Sequence, residues 1–311
     1  MKKRIGLLML VGILACGSLF AAGSKQTGEG QKKRVFGYTY WAASDFFETI
    51  GQSIKEIVEA NGDSIIIVDA QQNNQYQVDV IDDFITRKVD LVFLNPVDRD
   101  GIRPALLALK NAGIPVVNFD TSVADLSLVH SYIASDNVGA GVICAQAVNK
   151  TFPQGGDVAI LDYPANSACL DRTEGFVKTL NKNFRIVAQQ DAQGKPGPGL
   201  EKATDILTAH PNLVAMFCAN DQSGMGAFGA VVEANSRVQI YGVDGAPESK
   251  EVIAQGTQYA GTAAQSPKQI GVKCAEVGYN ILTGKPYEKE FYVPTFLIDK
   301  NNAKDYLGFW Q

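Results

Sequence analysis

Residues 91–120 read LVFLNPVDRDGIRPALLALKNAGIPVVNFD, and residues 213–244 read LVAMFCANDQSGMGAFGAVVEANSRVQIYGVD. The two stretches share one plan. In the first, the apolar run Leu91 to Leu94 stops at Asn95, a helix-like stretch follows, and a second run, Val116 to Phe119, stops at Asp120. In the second, Leu213 to Ala219 stops at Asn220, and Ile240 to Val243 stops at Asp244. Asparagine leads aspartate by 25 positions in one half and by 24 in the other. Short, mostly apolar runs alternating with helical stretches describe parallel strands covered on both faces. In open sheets of this kind ligands bind outside the carboxyl ends of the strands, where each half offers a polar residue. Two such halves facing each other make a polar cleft.

The same alternation extends outward in both directions. Strands are expected at Arg34 to Tyr40, Ile65 to Asp69, Val158 to Asp162, Ile186 to Gln189, Val214 to Cys218 and Tyr259 to Ala264. The first helix begins near Asp45, and Phe47, Ile50, Ile54, Ile57 and Val58 form its core face at helical spacing. Asn61-Gly62 ends it. Gln193 to Gly199, with two prolines and three glycines, reads as a loop. The fold class is α/β, as two Rossmann-like lobes with parallel sheets. A chain of 311 residues suits two domains, and a 46% apolar share lets each bury a core.

The N-terminus reads as an export signal. Met1, Lys2, Lys3 and Arg4 precede a mostly apolar run from Ile5 to Phe20. A transmembrane anchor needs about 20 consecutive apolar residues, and Gly6, Gly12 and Gly17 interrupt this run. Two cleavage sites compete. Ile13 to Cys16 resembles the lipobox of bacterial lipoproteins, which would lipidate Cys16, whereas Ala21, Ala22 and Gly23 fit a small, any, small pattern. The second favours a signal at 1–23 and a soluble protein, with 24–33 as a polar, glycine-bearing tether. Removing residues 1–15 takes away three basic residues and no acid, moving the formal charge from -5 to -8. So acidic a chain argues against nucleic acid and anionic membrane as partners.

Cys16, Cys144, Cys169, Cys218 and Cys274 show no paired spacing, and the last two with Cys144 sit in apolar segments that suit buried free thiols. Cys169, read as lying just before a helix, has no histidine near it in sequence to serve as a base. His130 and His210 make no metal spacing. Asp299 to Asp305 lacks the glycine of a calcium loop and reads instead as the cap of a last short helix. No metal and no cofactor are expected.

Asn95, Asp120, Asn220 and Asp244 are suited to a sugar or polyol, because amide and carboxylate groups match hydroxyls that both give and take hydrogen bonds. The plainer alternative is that each merely opens a turn after its strand. Tyr40 and Trp41 end the first strand, and Phe46 points away from the core stripe that holds Phe47. Aromatic faces there can pack against the C–H face of a sugar ring.

These residues carry a resemblance that spans Arg34 to the end of the chain: it resembles the periplasmic sugar-binding proteins of the ribose-binding type, which deliver ligand to ABC importers. Ser44, Asp45, Phe46 and Phe47 are similar to that family's Asn-Pro-Phe-Phe segment, whose phenylalanines sandwich the sugar. Asn95-Pro96-Val97-Asp98 matches its strand end, and Ile133 to Asn137 matches its hinge, which includes Ser135. Arg172, Glu174, Gly175 and Phe176 match a helix start whose arginine reaches the sugar. Asn220-Asp221, the Gly242 to Pro247 stretch and Gln265 match the remaining ligand and hinge positions. The resemblance implies a three-strand hinge crossing near Ser135, Gln265 and Val293. It implies lobes of 34–135 with 266–293 and 136–265 with 294–311, closing on a monosaccharide or polyol, and a permease or chemoreceptor that recognises the closed form.

Departures from the family pattern bear on the ligand. Thr121 stands where ribose-type members carry a second arginine, and Asp45, Ser44 and Val243 replace a proline, an asparagine and an aromatic. Gly194 lies where a third aromatic is expected, and Tyr40 and Trp41 are candidates to supply the stacking instead. The pattern favours an uncharged polyol or a monosaccharide other than ribose, and Asp45 suits an amino group. Two rivals differ in class. A regulator of the lactose-repressor family needs an N-terminal helix-turn-helix and basic charge, and a hydrolase using Asp120 and Asp244 needs a set carboxylate separation.

Overall fold

The computed structural model describes residues 33–311; the export signal, Cys16 and all but the last residue of the tether lie outside the described residues. The order is β1 Val35–Tyr40, α1 Asp45–Ala60, β2 Ser64–Asp69, α2 Asn74–Thr86, β3 Leu91–Leu94, α3 Arg103–Asn111, β4 Val116–Phe119 and β5 Ser131–Ser135. It continues with α4 Asn137–Thr151, β6 Gly156–Asp162, α5 Ser167–Thr179, β7 Phe184–Asp191, α6 Pro196–Ala209, β8 Leu213–Cys218, α7 Asp221–Glu233 and β9 Gln239–Asp244. Last come α8 Pro247–Ala254, β10 Tyr259–Ala264, α9 Pro267–Thr283, β11 Glu290–Val293 and β12 Phe296–Asp299.

The strands form two six-stranded sheets, ordered β11-β5-β4-β3-β1-β2 and β12-β10-β9-β8-β6-β7. Every ladder is parallel except that of β12, which runs antiparallel to β10. The chain passes between the sheets three times: after β5, after β10, and in the two residues that separate β11 from β12. β5, β11 and β12 are less completely buried than β3 and β4, with polar or half-exposed positions among their residues, so periodicity alone does not reveal them. The four residues of β3 and of β4 are all buried, as parallel strands with helices on both faces require.

Capping places most of the helices. Ser44, Asn73, Asp136, Asn166 and Asn220 each accept a hydrogen bond from a backbone N–H in the first turn of α1, α2, α4, α5 and α7. The stretch expected as a loop at Gln193 to Gly199 ends at Lys195, because α6 starts on Pro196. Proline is tolerated at the first helical position, where its missing N–H would have had no partner. Cys169 likewise lies inside α5, and Arg172 is in its second turn rather than at its start. The segment 299–305 corrects another expectation: Ala303–Tyr306 is a short 3-10 turn whose preceding residue, Asn302, makes no side-chain cap. Asn302 instead accepts from the Asp299 N–H.

Cys144, Cys169, Cys218 and Cys274 are buried free thiols. Close helix packing sets the site's geometry. A methyl group on Gly141 of α4 would collide with the Arg172 carbonyl of α5, and one on Gly175 of α5 with the Val138 carbonyl of α4. The two helices touch through bare backbone, which fixes where Arg172 leaves α5.

Candidate functional site

Asp120 directly follows β4 and Asp244 ends β9, and both have positive φ, 58° and 136°. Side-chain-bearing residues rarely adopt such values, and they recur at ligand sites where the surroundings hold them in place. Neighbouring strand ends supply that hold. The Asp120 N–H donates to the Ile133 carbonyl at 2.8 Å, and the Asp244 carbonyl accepts from the Gln265 N–H at 2.9 Å.

Around Asp244 the second sheet gathers a charged cluster. Arg172 Nη1 donates to Asp244 Oδ1 at 3.0 Å and to the Ala219 carbonyl at 2.9 Å, while its Nε donates to Asn137 Oδ1 at 2.9 Å. Gln265 Nε2 donates to the same Asp244 oxygen at 2.8 Å, and the Asp221 N–H reaches Oδ2 at 3.3 Å. Burial works against the charge on Arg172, but Asp244, Cys169 and Asp120 outweigh it and raise the guanidinium's pKa. Burial pushes the Asp244 carboxyl upward, opposed mainly by Arg172.

The first sheet is built differently. Asn95 is fully buried; its Nδ2 donates to the Phe119 carbonyl at 3.1 Å and to Asp120 Oδ2 at 3.4 Å, and its Oδ1 accepts from the Trp41 N–H at 3.3 Å. Thr121, in place of an arginine, donates from Oγ1 to Asp120 Oδ2 at 3.1 Å. Burial raises the Asp120 pKa, with Arg172 the largest opposing influence and Asp244 adding to the rise. Two carboxylates therefore answer to one guanidinium. Such a site is rich in acceptors and favours a neutral ligand carrying hydroxyl donors over an anion.

The twofold repeat is thus only partly carried into contacts. Asn95 bonds Asp120, but Asn220 caps α7 through Ser223 and donates from Nδ2 to the Gly194 carbonyl at 3.0 Å. The reason is local: Asn220 begins a helix at once, whereas Pro96 and a loop intervene before α3.

The aromatic candidates separate into two groups. Tyr40 and Phe47 are core residues, both 6% exposed and stacked at 5.9 Å between centroids. Tyr40 thus stacks against the core of the first sheet and presents only a small part of its surface. Trp41 is 39% exposed and meets Phe47 edge-on. Phe46 is half-buried. Ser44 is exposed and serves as the cap of α1, its Oγ 3.5 Å from the Phe47 N–H. Asp45, also exposed, joins Tyr40, Phe47, Glu48, Gln52 and Lys268 around a separate cavity of ≈ 620 Å³ along α1.

Two aromatics escaped sequence reasoning. Gly194 is left-handed at φ 61°, and the Tyr163 ring comes within 3.1 Å of where a Cβ on it would sit. A ring therefore lies beside that loop, brought there from the residue after β6, and its sequence signal is that Tyr163 directly follows Asp162, the last residue of a buried strand. The other is Trp310, whose ring meets Phe46 edge-on at 5.4 Å; nothing in the local pattern of the C-terminal tail marks it. Ser135 and Gln265, at two of the three crossings, are buried, and Ser135 Oγ and Gln265 Oε1 have no hydrogen-bond partner.

Comparison with known proteins gives the same outline. The sequence profile described as the periplasmic binding protein domain matches residues 36–286. The chain is 29% identical over 302 residues to the ribose import binding protein of Bacillus subtilis strain 168, covering 94% of this chain and 98% of that one. It is 31% identical over 258 residues to the ribose import binding protein of Escherichia coli K12, covering 82% and 86%. A solved ABC transporter periplasmic solute-binding protein of Actinobacillus succinogenes 130z with bound D-allose superposes with a TM-score of 0.81 at 26% identity, over 88% of this chain and 100% of that one.

Proposed function

Because the chain belongs to the periplasmic binding protein family, whose members bind substrates rather than convert them, we propose that it captures a monosaccharide or polyol between its two lobes for an ABC importer. Residues 34–135 with 266–293 form one lobe in this reading, and 136–265 with 294–311 the other. They rotate about the crossings at Ser135, Gln265 and Val293, as hinge-closing proteins do. The family places the protein outside the cytoplasm, and among the described residues no helix is long and apolar enough to cross a membrane.

One observation carries the reading. Asp244, held by Arg172 and Gln265 at the strand ends of the second sheet, answers Asp120, held by Asn95 and Thr121 at the strand ends of the first. Asp120, Asp244 and Arg172 bind the ligand's hydroxyls. Asn95 acts through Asp120, and Asn220 shapes the Gly194 loop beside Tyr163. Trp41 and Phe46 are the apolar surfaces for the ring, while Phe47 and Tyr40 support them from the core. Asp45 and Ser44 sit at the rim. The hydrolase reading is weaker, since Asp244 is tied into an ion pair and a second hydrogen bond. The closed form is what a permease, or a chemoreceptor, recognises.

A thermal-shift screen against pentoses, hexoses, polyols, inositols and amino sugars tests the class. Binding to the folded form alone stabilises by RT ln(1 + [L]/Kd), about 2.7 kcal/mol at one hundred times Kd. A rise in melting temperature confined to one or a few of these compounds is expected. No shift with any of them, or turnover of a glycoside, would count against the proposal.

A further inference from the structure

We propose that Trp310, carried on the C-terminal tail, is a ligand-contacting wall of the cleft whose indole N–H donates to a hydroxyl of the bound sugar or polyol; this rests on the reading of the cleft given above. The tail is fastened to the second lobe beside the site. Gln311 Nε2 donates to the Gln265 carbonyl at 2.5 Å and more weakly to the Asp244 carbonyl at 3.4 Å. Lys250, fully buried, donates from Nζ to Gln311 Oε1 at 3.0 Å and to the Phe309 carbonyl at 2.5 Å. A buried ammonium needs such acceptors, and the tail supplies both. Trp310 is therefore held one residue away from a side chain that touches Asp244 and Gln265.

From that anchorage the ring crosses to the other lobe. It packs edge-on against Phe46 of α1, with centroids 5.4 Å apart and planes at 78°. Its Nε1 is shut off from solvent and has no acceptor. Indole is a donor only, and leaving a buried donor unsatisfied costs about 1–3 kcal/mol. Among the described residues three other buried side-chain polar atoms lack partners: Ser135 Oγ, Gln265 Oε1 and Asn74 Oδ1. The first two belong to the hinge crossings, and Gln265 is bonded to both Asp244 and Gln311. A hydroxyl group can give to the Gln265 oxygen and take from the Trp310 N–H, and a polyol offers several such groups in a row. Neither a purely apolar ligand nor an ammonium satisfies both atoms.

The test is calorimetric titration of W310F and W310A with whichever of D-ribose, D-allose, D-fructose, xylitol and myo-inositol most raises the wild-type melting temperature. W310F keeps an aromatic wall and loses the donor, so affinity is expected to fall roughly three- to tenfold, the size of one neutral hydrogen bond. W310A loses the wall too and should fall further, with the unliganded melting temperature of both variants close to wild type. Wild-type affinity in W310A overturns the assignment of Trp310 while leaving the sugar reading intact. If no panel compound binds the wild-type protein, the sugar reading falls and the hydrogen bond falls with it. A second readout needs no ligand. The chain has two tryptophans, so W41F leaves Trp310 as the sole emitter, and acrylamide should quench it weakly in W41F and strongly in W41F/F46A. Strong quenching in W41F alone overturns the contact between the lobes.

Discussion

Arg172 illustrates how much one residue organises. Its guanidinium joins Asn137 of α4, the Ala219 carbonyl after β8 and Asp244 at the end of β9. Removing one partner of a buried pair leaves the other uncompensated, a loss typically of 3–5 kcal/mol. Asp244→Ala and Asp120→Ala are expected to weaken sugar binding by more than about tenfold, since a hydrogen bond to a charged group is worth roughly 1.5–3 kcal/mol; titration calorimetry measures it, and full affinity in both would move the site elsewhere. Thr121→Arg is expected not to improve binding. The new side chain would take Asp120 from the ligand, and tighter binding in the same assay would contradict that. The pH dependence follows from the same groups. Burial raises both carboxyls, so their acceptors are lost to protonation at a higher pH than an ordinary aspartate's. Affinity should therefore decline on acidification before the fold does, which calorimetry at a series of pH values checks.

At the scale of elements, two contacts decide whether the site is in register. α4 and α5 approach through Gly141 and Gly175, so Gly141→Ala forces the helices apart against the Arg172 carbonyl. Overpacking of this kind typically costs about 1–3 kcal/mol. A lower melting temperature and weaker sugar binding are expected together, because the displaced backbone is that of Arg172. The other contact is Asp221, the first residue of α7. It accepts from the Ala246 N–H, Ser249, Tyr259 and Thr262, and so binds α7 to α8 and β10. Burial, with Asp244 second, pushes its pKa from 3.8 to about 6. The folded state then holds a proton that the unfolded state has released between those values. Asp221 contributes stability below the unfolded value, and that contribution disappears as pH rises through about 6. Asp221→Asn should flatten this part of the stability–pH curve measured by denaturant unfolding. It should also lower stability at neutral pH, since one acceptor becomes a donor facing donors.

For the whole molecule, the three crossings and the Phe46–Trp310 contact make closure the natural response to a ligand bound by both lobes. A smaller radius of gyration by X-ray scattering is expected with saturating sugar, and an unchanged radius would argue for a rigid cleft. Much of this architecture was legible in the sequence because a strand covered on both faces is mostly apolar until it leaves the sheet; a polar exception such as Asn118 inside β4 is tolerated because it bonds the Leu94 carbonyl. The polar residue that ends such a run then marks the carboxyl end where ligands bind. By that logic β3, β4, β8 and β9 and their polar ends Asn95, Asp120, Asn220 and Asp244 could be named before any coordinates. β5, β11 and β12 could not, since they mix polar or partly exposed positions into the run, such as Ser131 and Ser135 in β5, Glu290 in β11 and the half-buried Phe296 and Leu297 in β12.

The sequence by itself determined two α/β halves, the direction in which each cleft wall faces, and the residue types available to line it, because apolar periodicity is a local record of burial. Only the tertiary structure decided who bonds whom. Arg172 meets Asp244 across 72 positions, Asn220 turns to Gly194 instead of Asp244, the Tyr163 ring lies against Gly194, and Trp310 reaches Phe46. A hydrogen bond or ring contact depends on which side chains share a few ångströms of space. Helix packing and sheet order set that neighbourhood, and residues far apart in the chain occupy it.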